Sequence, residues 1–283
     1  VGAALAAGVP RIVHTEHNSE YGLPLPGLFR AVDLVLNPRT DAVVTFSALQ
    51  RARLVREERI PAERIAVIPN GIPLPAPRPG ARAAARRALG AGPDERVVVH
   101  VGRFSAVKNQ RLAVEALAAL PAPARLVLIG TGEGGAALAA LAAARGVGER
   151  VAFLGYRDDA AELLHGADAV AVTSLNEAMP LTVIEALVAG APVVSTPWAG
   201  ARDMLGEGAY GLVAEDFGPA AFAAALGALF ADPAAARARA ERAMAFARAE
   251  YDIRTTVRRH AELYRALSAG TRAARPRMTS ARS

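Results

Sequence analysis

Cysteine is absent from the 283-residue chain. This excludes disulfides, thiolate nucleophiles and cysteine-ligated zinc or iron–sulfur centres, and suits a reducing cytoplasm. Any chemistry must use oxygen and nitrogen groups. No apolar run approaches the ~20 residues of a membrane-spanning helix, because Gly, Pro, Arg or Glu interrupts each candidate. Aromatics make up only 5% of the chain, too few to supply stacking platforms for single-stranded nucleic acid. No D-x-D acidic pair is present to hold a catalytic metal. What remains is 52% hydrophobic and 21% charged, with a formal net charge of +6. That composition supports a buried core of one large or two smaller α/β domains. The positive charge is compatible with phosphorylated ligands and anionic lipid, although solvated Arg faces explain it equally well. Glu57, Glu58, Glu241 and Glu250 interrupt the Arg-rich helices, which argues against nucleic acid as a partner.

The segment Val1–Val9 is apolar but lacks a basic n-region and runs straight into a strand-like stretch, so it is not read as a signal peptide. Its helical character from the first residue leads us to expect that an earlier stretch is missing. Strand-like runs then alternate with helical ones: 11–14, 42–46 and 65–68, then, beyond a Pro-rich break at 70–80, 97–101, 126–129, 151–154, 169–173 and 192–195, with a short strand near Leu212. Such alternation predicts parallel sheets. Predicted helices cover 110–120, 136–145, 181–189, 220–230, 234–250 and 253–267. Ser47 and Gln50 form a capping-box pattern ahead of another. The repeated prolines at 70–80 read as an interdomain linker, with Asn70-Gly71 favouring a turn.

In open parallel sheets, ligands collect at the carboxyl ends of strands. Three such loops carry candidate chemistry. Gly130-Thr131-Gly132-Glu133-Gly134-Gly135 formally matches G-x-G-x-x-G, with Asp158 about 20 residues further on, as a dinucleotide fingerprint requires. Against an NAD-dependent oxidoreductase stand Glu133, which would repel a pyrophosphate, and the position of the strand as second in its unit. A glycine turn beside another ligand explains the pattern as well. The loop Gly102 to Asn109 places Arg103 and Lys108 five residues apart. A planar guanidinium and a mobile ammonium at this spacing could clamp a diphosphate, or could simply be solvated cations. In the third loop, Glu177 precedes a helix starting near Pro180, with Pro180 expected in its first turn. The free amides of Leu181 and Thr182 could hold phosphate oxygens. Glu185 could accept two hydrogen bonds from a ribose diol, and Glu177 could reach sugar hydroxyls.

The E-x7-E spacing of Glu177 and Glu185 on a strand–loop–helix resembles the hallmark of glycosyltransferase family 4, retaining enzymes of the GT-B fold. Gly102-Arg103 to Lys108, Ile68 to Ile72, Leu128 to Gly132 and Ala189 to Val194 are similar to further segments of that family, so the resemblance spans the chain to about Leu267. It implies two Rossmann-like parallel-sheet domains facing a cleft, the first incomplete. Residues 1–75 would be the remnant of an N-terminal, acceptor-side domain and 76–252 a C-terminal domain binding the nucleotide sugar. Helix 253–267 would pack back on the first domain, and 268–283 would form a disordered tail. Arg103 and Lys108 would bind the donor diphosphate, Glu177 the transferred sugar and Glu185 the ribose. Gly102, Gly130, Pro180, Leu181 and Thr182 would complete the donor pocket, with the base near Gly155, Tyr156 and Arg157. His17 would face the donor sugar across the cleft.

The implied activity is transfer of a hexose from a nucleotide diphosphate sugar to a saccharide or lipid-linked hydroxyl acceptor in envelope polysaccharide or glycolipid assembly. It would need no metal, and would take place in the cytoplasm with peripheral contact to anionic membrane. A nucleotide-sugar-binding piece without transfer activity is the alternative. Where the family commonly has E-G-F-G, this chain has Glu177-Ala178-Met179-Pro180, so the backbone path beside the sugar is expected to differ.

Overall fold

The computed structural model describes residues 1–16, 34–76, 78–121 and 123–270. Its nine described strands are β1 (Val13–Thr15), β2 (Ala42–Thr45), β3 (Ile65–Val67), β4 (Arg96–Val101), β5 (Ala124–Ile129), β6 (Val151–Gly155), β7 (Ala169–Val172), β8 (Val193–Ser195) and β9 (Leu212–Val213). They form two sheets, ordered β1-β2-β3 and β6-β5-β4-β7-β8-β9, and every described pairing is parallel. The chain divides into two units, one of residues 1–73 with 251–283 and one of residues 74–250.

In the first unit, β2 is buried along its whole length. One face packs Ala42, Val44, Ala66 and Ile68 against Leu263 and Leu267 of the helix Ile253–Ser268. The other packs Val43 and Ile65 against Leu54 of the helix Ala48–Glu57. Ser47 caps that helix by accepting from Gln50 N at 3.1 Å. The return bond of the box runs from Phe46 N to Gln50 Oε1, one residue earlier than a capping box places it. Asn70-Gly71 is not a tight turn. Ile72 lies in a parallel bridge to Asp252, and a Cβ on Gly71 would fall 2.5 Å from Thr256 Oγ1 and 2.8 Å from Ile253 Cα. Glycine is present there because the helix start approaches the strand end closely. The helix ends at Ser268, and residues 271–283 of the expected tail lie outside the described residues.

The second unit's sheet is covered on one face by the helices Gln110–Ala119, Gly135–Ala144 and Pro219–Ala231. Their Leu112, Leu117, Leu138, Phe222 and Leu226 bury against Val98, Leu126 and Leu128. A helix not anticipated in the sequence, Ala81–Ala88, is fixed by ion pairs from Arg82 and Arg86 to Asp168 at 2.6 and 2.8 Å. Asp168 also accepts from Val97 N at 2.9 Å, joining the entry of β7 to that of β4. Among the described residues no single helix is long and apolar enough to cross a membrane.

The winding of this sheet dictates where a ligand can go. From β4 the chain moves to β5 and β6 on one side, and β7, β8 and β9 lie on the other. β4 and β7 therefore flank the point at which the strand order reverses, the position where open parallel sheets hold a ligand crevice beyond the carboxyl ends of their strands.

Candidate functional site

The loop after β4 carries Arg103 and Lys108, and the loop after β7 carries Glu177. Backbone and side-chain bonds join the two. Leu175 N donates to Val107 O at 2.8 Å, and Thr173 Oγ1 donates to Lys108 O at 2.7 Å. Across this seam Lys108 Nζ donates to Glu177 Oε1 at 2.5 Å, and Ser174 Oγ donates to the same oxygen at 2.6 Å. Ser174 is held from behind, because Thr196 Oγ1 donates to its carbonyl at 2.6 Å. The two residues given different parts of a ligand by the sequence thus meet in a charge-assisted pair. Arg103, from the same loop as Lys108, is exposed, and its carbonyl is held by Gln110 Nε2 at 2.8 Å.

The glycine turn after β5 fits beneath the first loop. Phe104 N donates to Thr131 O and Gly102 N to Ile129 O, both at 2.9 Å. A Cβ on Gly130 would lie 2.2 Å from Gly102 O, and one on Gly132 would lie 2.4 Å from Phe104 O. Contact between two backbones accounts for both glycines, so the G-x-G-x-x-G spacing here is explained by loop packing and needs no dinucleotide. Glu133 stands exposed at the turn.

The helix Leu181–Val188 buries Val183, Ile184, Ala186, Leu187 and Val188. Pro180 is its N-cap, in extended conformation, rather than a residue of the first turn. An extended φ near −65° serves both places, so the residue type does not distinguish them. Val183 N already bonds Pro180 O at 3.1 Å. The first-turn amides of Leu181 and Thr182 have no acceptor within the helix by its geometry, and they point out of its start. Glu185, one turn in, is half-buried with no side-chain partner among the described residues. Burial raises its carboxyl above the ordinary value, as expected where desolvation is not offset by a hydrogen-bond donor.

At the end of β6, Tyr156 is 73% exposed, and a hydrogen bond to Asp158, with that residue's charge as the lesser cause, raises the pKa of its hydroxyl. Arg157 forms two 2.7 Å bonds to Asp159. His17 lies outside the described residues. Among those described, no group of three or more His, Asp or Glu converges as a metal site would require.

Sequence reasoning missed Thr173, Ser174 and His100. His100 is 2% exposed within β4, and its Nε2 lies 3.0 Å from Thr173 Oγ1. One signal was available: Val172-Thr173-Ser174 puts two hydroxyls straight after an apolar strand, at the end where ligands gather.

Residues 81–246 match the family described as glycosyl transferases group 1, and residues 1–75 match glycosyltransferase family 4. The D-inositol 3-phosphate glycosyltransferase of Nocardia farcinica is 35% identical over 257 residues, covering 83% of this chain and 57% of its own length. That of Mycobacterium marinum is 32% identical over 256 residues, covering 83% and 55%. The chain thus spans little more than half the length of these relatives. Among solved structures, Anabaena HepE in complex with UDP superposes with a TM-score of 0.84 at 25% identity, covering 94% of this chain and 74% of that one. Sucrose-phosphate synthase from Thermosynechococcus elongatus superposes with a TM-score of 0.83 at 26% identity, covering 95% and 71%.

Proposed function

Because the chain belongs to the group 1 glycosyl transferases, we propose that it forms the donor-binding part of a retaining enzyme. That enzyme moves a hexose from a nucleoside diphosphate sugar to a hydroxyl acceptor in envelope polysaccharide or glycolipid assembly. The observation that carries this reading is the Lys108–Glu177 pair at the crevice between β4 and β7. It sets a mobile cation beside a carboxylate, as needed for a diphosphate joined to a polyhydroxyl ring. HepE has been solved with UDP and with UDP-glucose, which supports a ligand of this class here.

In this reading Lys108 and Arg103 bind the diphosphate together with the Leu181 and Thr182 amides at the helix start. Glu177 accepts from sugar hydroxyls and Glu185 from the ribose diol. The base lies near Tyr156 and Arg157. As the bond from the anomeric carbon to the diphosphate breaks, charge accumulates on the departing oxygen. Lys108, Arg103 and the helix start stabilise it there, supplying the positive charge a metal provides elsewhere. The acceptor oxygen bonds the anomeric carbon from the same face, and its proton passes to the departing phosphate oxygen. The reaction belongs in the cytoplasm, with peripheral contact to anionic membrane where the acceptor is lipid-linked.

Thermal-shift screening against UDP-, GDP- and ADP-sugars tests the donor half. A ligand at 100 times its Kd stabilises the folded state by about 2.7 kcal/mol. The shift should disappear in Arg103→Ala. Absence of a shift with all three classes sinks the reading. A shift without transfer of radiolabelled sugar leaves the chain a binding unit and removes the transferase activity.

A further inference from the structure

Resting on the donor-site reading above, we propose that His100 and Thr173 are positioning residues, which orient Lys108 for the diphosphate through a one-way chain of hydrogen bonds. The direction of that chain follows from counting protons. A threonine hydroxyl has one, and Thr173 donates its own to Lys108 O at 2.7 Å. The 3.0 Å contact from His100 Nε2 to Thr173 Oγ1 must therefore be Nε2–H donating to the hydroxyl. This puts a proton on Nε2, so that the ring, when neutral, is the Nε2–H tautomer. His100 Nδ1 is buried without a hydrogen-bond partner, which a bare nitrogen tolerates far better than a protonated, cationic one would. Burial, with the charge of Lys108 as the lesser cause, lowers the His100 pKa to about 4, so the ring stays neutral beside the cation.

The carbonyl held by this chain is a pivotal one. Asn109, immediately after it, is in the left-handed region with φ 50° and ψ 44°, and serves as N-cap of the helix Gln110–Ala119. The chain reverses direction there, so rotation of the Lys108–Asn109 peptide would swing the Lys108 side chain. Leu175 N holds the preceding carbonyl, on Val107. Successive peptides on either side of the Lys108 Cα are thus pinned from the β7 loop. That leaves the lysine stem free to move between Glu177 and a phosphate while its root stays fixed. An apolar residue would fill the His100 site in an otherwise valine-rich strand at lower desolvation cost. The polar chain is explained by the work it does on the loop.

The test uses paired variants and UDP-glucose as the probe. Thr173→Val and His100→Phe remove a link, while Thr173→Ser and His100→Gln keep the hydroxyl and the outer N–H. Calorimetric affinity for UDP-glucose should fall about tenfold in the first pair and stay within about threefold in the second, a tenfold change being about 1.4 kcal/mol. In a Lys108→Met background, Thr173→Val should change affinity by less than about twofold, because the group it positions is gone. An undiminished loss in that background overturns the proposal, as does a nitrogen-15 spectrum showing His100 protonated on Nδ1 at neutral pH. Exchange of the Leu175 amide in the unliganded protein should rise about tenfold in Thr173→Val, if the two loops open locally as a unit. Unchanged exchange overturns the positioning role alone. Failure of the wild type to bind UDP-, GDP- or ADP-glucose overturns the donor-site reading instead.

Discussion

Substituting Gly130 by alanine tests whether the glycine turn after β5 exists for loop packing or for a ligand. The added Cβ would sit 2.2 Å from Gly102 O and 2.9 Å from Gly102 C. Non-bonded heavy atoms rest near 3.5 Å, so the two loops would have to part by roughly 1 Å. Neither side is a flexible side chain that can swing away. Parting them stretches the Gly102 N to Ile129 O and Phe104 N to Thr131 O bonds, both of 2.9 Å, worth about 1 kcal/mol each. Overpacking adds about 1–3 kcal/mol. The expected destabilisation is therefore about 3–5 kcal/mol, or a fall in Tm of roughly 10 °C for a unit of this size. It should be read by calorimetric or denaturant unfolding against Gly227→Ala. Gly227 lies within the helix Pro219–Ala231 with open space at its Cβ position, so alanine there should stabilise by about 0.5–1 kcal/mol. A Gly130→Ala chain within about 1 kcal/mol of wild type would refute the packing argument. If it also lost nucleotide binding, the glycine would return to the role a dinucleotide fingerprint assigns it.

Three further perturbations follow from the same geometry. Burial raises the Glu185 carboxyl above its ordinary 4.5, so the folded chain holds that proton more tightly than the unfolded one. The resulting stability is full below pH 4.5 and lost as pH rises through the folded value. Glu185→Gln should therefore raise Tm at pH 7, gain nothing at pH 4, and weaken nucleotide-sugar binding about tenfold by calorimetry, since bonds to a charged acceptor are worth about 1.5–3 kcal/mol. For His100, whose folded pKa is lowered from 6.5 to about 4, the sign is opposite. Its contribution is full above pH 6.5 and falls away toward pH 4 by about 3 kcal/mol in order of magnitude, a slope in denaturant unfolding that His100→Gln should abolish. Asp168→Ala takes the carboxylate from Arg86, which keeps only carbonyl acceptors, and the acceptor from the Val97 amide at a part-buried joint, and should cost about 3 kcal/mol. A loss below 1 kcal/mol would show that the helix Ala81–Ala88 is held by packing instead.

Much of the architecture was legible because each strand is short, apolar and closed by a turn residue, so the alternation that predicts parallel sheets survives in the sequence. The E-x7-E helix could be placed for the same reason, with Glu177 and Glu185 following the apolar run 169–172. What stayed hidden was set by contacts distant in sequence or by ambiguous local chemistry. The helix Ala81–Ala88 follows a proline-rich stretch and has no side-chain cap, its N-cap being the left-handed Gly80. Its anchor at Asp168 lies more than 80 residues away. Gly71 read as a turn because glycine's freedom is its usual explanation, whereas here the missing Cβ admits the helix beginning at Ile253.

The Lys108–Glu177 pair shows why residue types alone could not complete the site. Taken separately, a lysine near a strand end and a glutamate before a helix are solvated charges as often as ligands. Their side chains are 30% and 13% exposed, between the surface regime, where a pair is worth under about 1 kcal/mol, and the buried one, where losing a partner costs about 3–5 kcal/mol. An unpaired Glu177 so placed would be costly, and Ser174 supplies a second hydrogen bond to the same oxygen. That bond leaves the carboxylate oxygen with a hydrogen-bond donor if the ammonium turns to a phosphate. The lysine can then exchange one anion for another without leaving the first without a donor. This is the property a binding site needs and an isolated surface ion pair lacks. It depends on Ser174, three residues from Glu177 in sequence but held in place by Thr196 from the next strand's end.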